Sequence, residues 1–215
     1  VWIKAVSQPN EQTFVDITEH PDAQPKTAYT WIFIVGTLSA IVNGIIQAIL
    51  VAAGVGGQSG ETGAIIGGSL AGALCLSPVA GALSVLFFAL GVAITQWVAK
   101  LFGGTGTYDK LVYAIAAISV PFTLVSMFLV PFSAVPYLNI CTGLISLGLG
   151  LYALFLQITA VKAVNRFGWG QAAGSVLIPG LVILFFCGCI VIGGLMVMGP
   201  VIGDVFEQIN QSLAP

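Results

Sequence analysis

Residues 111–161 read LVYAIAAISVPFTLVSMFLVPFSAVPYLNICTGLISLGLGLYALFLQITAV, 51 consecutive positions without Asp, Glu, Lys or Arg. A helix needs about 20 apolar residues to cross the hydrocarbon core of a bilayer, so this run alone holds two spans. Three more charge-free runs, 27–60, 62–99 and 167–203, lie on either side of it. Over all 215 residues only 14 are acidic or basic, 7%, while 58% are hydrophobic and the mean hydropathy is +1.05. An ordinary soluble domain carries about a quarter charged residues, because charge must cover its surface. The chain therefore reads as all-α, a polytopic transmembrane helical bundle.

Length divides the runs into five spans, at about 28–53, 77–99, 111–132, 138–161 and 172–200, which together make a membrane domain over 28–200. The run before Lys100 is too long for one crossing at about 1.5 Å per residue. Its first part, 64–76, reads as a short helix or re-entrant piece, with the span proper starting near Pro78. Residues 201–215 form a polar tail, read as extracytoplasmic. Residues 1–27 form an amphipathic arm, read as cytoplasmic, with no cleavable signal peptide in its polar composition. In that arm a helix is expected with Pro9 in its first turn, Ser7 as cap and Phe14 and Ile17 on one face; His20-Pro21 should stop it. Trp2, Ile3 and Val6 supply a second small apolar face. Such an arm can lie on the membrane or on a partner; the simpler reading, packing on its own bundle, is preferred.

The six basic residues fix an orientation. With five spans and the N-terminus inside, Lys4, Lys26, Lys100, Lys110, Lys162 and Arg166 all fall on one side. Glu61, Asp204 and Glu207 fall on the other, in segments without Lys or Arg. Basic residues concentrate on cytoplasmic loops, so a cytoplasmic N-terminus and an extracytoplasmic C-terminus are expected.

The same scarcity of charge excludes function classes. A net charge of -2 leaves no basic patch for nucleic acid. His20 is the only histidine, and Cys75, Cys141, Cys187 and Cys189 sit in apolar runs without metal-site spacing. Gly54 to Gly60 resembles a phosphate loop only in its glycines, since no Gly-Lys-Ser/Thr follows. No charge stands mid-span, where a coupled pump would need one. No catalytic set and no metal ligands are identified.

The informative residues concern contact. Membrane helices approach through small side chains, and the first span carries Gly36, Ala40, Gly44 and Ala48 at every fourth position, continuing through Ala52 and Gly56. Beside this ridge Asn43 and Gln47 can bond across to another helix. The fourth span has a seam alternating four and three: Asn139, Gly143, Ser146, Gly150, Ala153, Gln157, Ala160. Gly63, Gly67, Gly68 and Gly72 offer a further close-approach surface. Asn43, Gln47, Gln96, Asn139 and Gln157 could line a polar path, but bonding between helices explains them more simply. The cytoplasmic loop before the third span is Phe102-Gly103-Gly104-Thr105-Gly106-Thr107-Tyr108. Its glycines permit a tight reversal, Thr107 can cap the next helix with Asp109 in its first turn, and Phe102 and Tyr108 flank it as interfacial anchors.

That loop, followed by Ser119-Val120-Pro121-Phe122, resembles the Yip family, membrane proteins named for interacting with Ypt/Rab GTPases. The arm Pro9-Asn10-Glu11-Gln12-Thr13-Phe14 is similar to that of prokaryotic members. Lys162, Arg166 and Pro179 fit as well. The resemblance implies five spans with a cytoplasmic N-terminus. It also implies an adaptor role, since eukaryotic relatives bind prenylated Rab GTPases through a long arm. Here the arm lacks their Asp-Leu-Tyr-Gly-Pro element, which argues against a Rab-type partner and for a prokaryotic plasma membrane.

The expectation is a non-catalytic membrane scaffold or adaptor, with membrane lipids and other integral membrane proteins as partners. Two alternatives stand beside it: an accessory subunit of a photosynthetic or respiratory complex, and a small-solute transporter or channel. No cofactor is expected, a bound lipid or pigment being admitted only within a larger complex.

Overall fold

The computed structural model describes residues 1–21, 23–52, 62–133, 136–182, 184–185 and 188–189. Among these there is no strand. Two short helices, α1 (Trp2–Ser7) and α2 (Glu11–Glu19), precede four long ones: α3 (Pro25–Ala52), α4 (Thr62–Leu101), α5 (Tyr108–Ser133) and α6 (Pro136–Asn165). Residues 169–182 are also helical. The chain forms two units, Val1–Val176 and Leu177–Pro215. The contacts described below all lie in the first. Of the second, 177–182 are helical with Leu181 exposed. The glycine turn 54–60 and the tail 201–215 lie outside the described residues, as does the last part of the fifth span, 190–200.

Among the described residues, four helices are long and apolar enough to cross a membrane: Pro25–Leu50, Ala71–Leu101, Tyr108–Phe132 and Leu138–Asn165. Their outward side chains are those a bilayer solvates, such as Phe87, Phe128, Ile140 and Leu144, all well exposed. Helices α3 and α4 run antiparallel and pack most extensively, because small residues meet there. A Cβ on Gly36 would stand 2.7 Å from Ser84 Oγ, and one on Gly81 would stand 3.0 Å from the Phe33 carbonyl and press on Thr37 Oγ1. Such backbone approach replaces the hydrophobic drive that is missing in lipid. Helix α5 has the most buried face, with Leu111, Val112, Tyr113, Ala114 and Ile118 at most 1% exposed.

One expectation for the second long run is corrected. The segment 64–76 does not break from 77–99; α4 continues through Pro78 for 40 residues, about 60 Å at 1.5 Å per residue. Proline at 78 removes the N–H that would serve the Leu74 carbonyl. The buried Ser77 hydroxyl donates to that carbonyl instead, at 3.0 Å, which is how membrane helices accommodate an internal proline.

The arm packs on the bundle. Phe14 and Ile17 of α2 are buried, as the spacing implied, and α2 ends at Glu19 before His20-Pro21. Other details differ. Helix α2 starts at Glu11 with Asn10 in the cap position, while Ser7 belongs to α1 and donates to the Ile3 carbonyl at 2.7 Å. In α1 the buried residue is Ala5, and Ile3 is exposed, because a six-residue helix buries only one narrow stripe. Trp2 meets Trp31 edge to face at 5.3 Å, and Trp31 meets Tyr113 at 5.2 Å. The Tyr152 hydroxyl donates to the Val6 carbonyl at 2.6 Å, next to the Phe122–Tyr152 ring contact at 6.0 Å. Lys162 pairs with Glu11. On the outer side Lys4 pairs with Asp16 at 3.2 Å. Hydrogen bonds from Gln12 and then Lys4 hold the Asp16 carboxyl below its ordinary range.

Candidate functional site

The loop 102–107 joins α4 to α5 and is held by two buried amides. Gln96, 3% exposed on α4, and Asn165, 1% exposed at the end of α6, face one another. Gln96 Nε2 donates to Asn165 Oδ1 at 3.0 Å and to the Gly106 carbonyl at 2.8 Å. Asn165 Nδ2 donates to Gln96 Oε1 at 3.3 Å and to the Val161 carbonyl at 3.1 Å. The Gly106 N–H donates back to Asn165 Oδ1 at 3.2 Å, and Thr105 N–H donates to the Asn165 carbonyl at 3.2 Å. Buried amides are costly unless they are bonded, and here both carbonyl oxygens and both amide nitrogens have partners.

The glycines follow from this closeness. Gly103 takes φ +87°, the left-handed region where a side chain is strained. A Cβ on Gly104 would come within 2.6 Å of Asn165 Oδ1 and 2.9 Å of the Ala99 carbonyl. One on Gly106 would come within 2.7 Å of the Val164 carbonyl. Arg166, at φ 55°, terminates α6 by donating its N–H to the Lys162 carbonyl at 2.8 Å. Gln171 Nε2 reaches the Phe102 carbonyl at 3.2 Å and so ties the next helical segment to the same loop. Thr107 occupies the α5 cap position, its carbonyl accepting from Leu111 at 3.2 Å, and Asp109 stands in the first turn. Tyr108 is not a bare surface anchor. Its hydroxyl donates to the Ala89 carbonyl at 3.1 Å and meets the Tyr29 hydroxyl at 2.9 Å, joining α3, α4 and α5.

Around this clasp stand exposed groups. Phe102 is 38% exposed and Trp169 48%. Trp169 stacks on Phe155 at 6.0 Å, and the Lys162 ammonium sits 4.3 Å from its ring. The arm, this loop and the α6 end share one end of the first unit; Lys4 is in the arm, Lys162 and Arg166 are at the α6 end, and Lys26, Lys100 and Lys110 stand in the adjoining terminal turns of α3, α4 and α5. The face is an ordered mixture of aromatic rings and cations. It has the composition of a docking surface or a membrane-interface anchor.

The small-residue positions separate into two groups. In α3, Gly36 contacts α4, Ala48 is buried, Gly44 is half-buried and Gln47 is exposed. Asn43 turns back on its own helix, donating to the Ser39 carbonyl at 2.8 Å, rather than across to a neighbour. In α6, Gly143, Ser146 and Gly150 are exposed, with open space around Gly143 and Gly150, and Gln157 is half-buried. The structure thus joins Gly36 to α4 and splits the α6 seam: Asn139, Gly143, Ser146 and Gly150 are left uncovered by described residues, while Ala153 and Gln157 are half-buried and Ala160 is buried. Asn165, Gln171, Gly81 and Tyr152 were not singled out in the sequence. Asn165 carried a readable signal, an Asn closing a charge-poor helix just before Arg166, where helix caps are common.

Four long apolar helices and no strand among the described residues define an integral α-helical membrane protein. The Yip1 domain family model matches residues 4–191, and the chain belongs to that family. No curated protein matches the chain, and no solved structure does.

Proposed function

We propose that this protein is a non-catalytic membrane scaffold or adaptor, which docks other integral membrane proteins on its loop end. The observation that carries the reading is the Gln96–Asn165 clasp. It spends two buried amides and three glycines on ordering one loop, and the same end of the first unit exposes Phe102, Trp169 and basic residues. A pre-ordered surface loses little entropy on binding. In this reading the chain has five spans, the fifth over 172–200, with the loop end and arm in the cytoplasm of a prokaryotic cell and the membrane its plasma membrane. The gathering of six cations at one end supports that orientation.

A second reading, an accessory subunit of a larger photosynthetic or respiratory complex, draws support from α6. There, between Leu138 and Leu151, Thr142 is the one buried position. A helix apolar on all sides has room for a neighbour. Purification in mild detergent tests both. Co-purifying membrane chains that are lost on Trp169→Ala or Phe102→Ala support the adaptor. Stoichiometric recovery with a redox or pigment complex supports the subunit. A chain that runs alone and passes solute across reconstituted vesicles overturns both and favours a transporter.

A further inference from the structure

Between α3, α4 and α5 lies a partly open cleft of about 310 Å³, and its position and lining single it out. Ser39, Ser84 and Thr123 lie near the middle of the spans Pro25–Leu50, Ala71–Leu101 and Tyr108–Phe132, so the cleft sits at mid-bilayer depth. Its polar lining comes from Ser39, Asn43, Ser84 and Thr123.

The state of their protons decides what can bind. The Ser84 hydroxyl donates to the Ala80 carbonyl at 2.8 Å, and the Thr123 hydroxyl donates to the Ser119 carbonyl at 2.8 Å. Asn43 Nδ2 donates to the Ser39 carbonyl at 2.8 Å and to Ser39 Oγ at 3.4 Å. The donors of these three side chains are therefore turned into their own helices. Their oxygens, Asn43 Oδ1 among them, keep acceptor capacity on residues that line the cleft. An anion is excluded because the lining offers it too few donors, and a cation because no carboxylate lines the cleft to offset its charge at that depth. A neutral molecule with an O–H donor and an apolar remainder fits. The volume is at the lower end for small-molecule sites, enough for a hydroxyl-bearing end while the rest stays in lipid.

We propose that this cleft binds the hydroxyl end of a neutral, membrane-dissolved alcohol, through acceptor oxygens of Asn43, Ser84 and Thr123. Gly36 and Ala40 give it room, since a larger side chain at either position would enter the space. This goes beyond the adaptor reading and does not depend on it, because the loop end contributes nothing to the cleft.

The test uses the full chain in phosphatidylcholine nanodiscs with two photoreactive probes in separate arms, a diacylglycerol and a polyprenol, and maps the labelled peptides. Labelling of α3 and α5 peptides is expected with at least one probe, and the productive arm identifies the source of the alcohol. Dioleoylglycerol or the free polyprenol should compete, and trioleoylglycerol, which lacks the hydroxyl, should not. Ala40→Phe should abolish labelling, and Leu38→Phe, on an exposed position of the same helix, should not change it. Asn43→Leu, which keeps the branching and heavy-atom count but replaces the amide with methyls, should weaken labelling about three- to ten-fold, the worth of one hydrogen bond. If Ala40→Phe fails to fold, Asn43→Leu carries the test alone. No labelling at these peptides, equal competition by trioleoylglycerol, or labelling unmoved by Asn43→Leu would each overturn the proposal, the first leaving a cleft filled by water.

Discussion

Gln96 and Asn165 stand 69 residues apart in the chain and bond amide to amide in space, each donating to the other's carbonyl oxygen, at 3.0 and 3.3 Å. The pair welds the end of α4 to the end of α6 and fixes the intervening loop through Gly106. Removing one amide leaves the other buried and short of partners, at about 1–3 kcal/mol. Asn165→Leu and Gln96→Leu should each lower the thermal midpoint in mild detergent. The double variant should lose less than the sum of the two, because two apolar groups replace two that need each other. Strict additivity in that double-mutant cycle would mean the amides do not act as a pair.

The loop glycines should respond unequally to alanine. Gly104→Ala and Gly106→Ala push a methyl into backbone carbonyls and Asn165 Oδ1, an overpacking cost of about 1–3 kcal/mol. Gly103→Ala meets no atoms but is strained at φ +87°, at about 1 kcal/mol or more. Gly143→Ala on the open α6 seam should be neutral or stabilising, since alanine suits a helix better. Thermal shifts for the four variants give the order directly, and a large loss at Gly143 would reveal a neighbour packed there.

The fold was legible because its strongest constraint is the bilayer. Charge-free runs of helical length, bounded by Lys100, Lys110, Lys162 and Arg166, leave few alternatives for α5 and α6. What stayed hidden depends on contacts distant in sequence. Nothing local to Pro78 says that Ser77 will serve the stranded Leu74 carbonyl, so the run divided at the proline where the helix continues. The loop read as a glycine reversal because its backbone needs are local. Its function as one side of a clasp required Asn165, which 59 residues separate from Gly106. Asn43 was legible as a mid-membrane polar group, but whether it bonds across or back depends on which carbonyl its rotamer reaches.

Orientation is open to labelling. In a background with the four cysteines replaced by alanine, Thr105→Cys should react with a membrane-impermeant maleimide only in inverted vesicles. Gln208→Cys should react only from outside the cell. The positive-inside argument rests on six residues at one end, and the opposite labelling pattern would invert the bundle.

The Asp16 carboxyl gives the arm a pH dependence with a definite sign. Its folded value is lowered, by Gln12 first and Lys4 second. Its contribution is therefore present above the unfolded value of about 3.9 and disappears as pH falls through the folded value. Amide protection in α1 and α2, taken relative to intrinsic exchange at each pH, should fall in acid below that point, and Asp16→Asn should remove this component. Because the pair is exposed, salt should weaken it. Arm protection that falls with the same profile in Asp16→Asn would assign the acid sensitivity elsewhere.

Tyr152→Phe tests how the arm is held. The hydroxyl reaches the Val6 carbonyl at 2.6 Å across 146 residues, while Glu11 pairs with Lys162 and Trp2 packs on Trp31. Losing the hydroxyl removes one bond, about 1 kcal/mol, and strands a carbonyl of a helix only six residues long. The ring remains against Phe122, so the bundle itself should be unmoved. Hydrogen exchange at Ala5 and Gln8 should therefore quicken about five-fold, the equivalent of that bond, with exchange in α3 and α4 unchanged. Glu11→Gln should loosen α2 in the same direction but lose its effect in high salt, which the Tyr152 variant should not. If exchange in α1 is insensitive to both substitutions, the arm is held by its aromatic contacts alone, and Trp31→Ala becomes the variant that frees it.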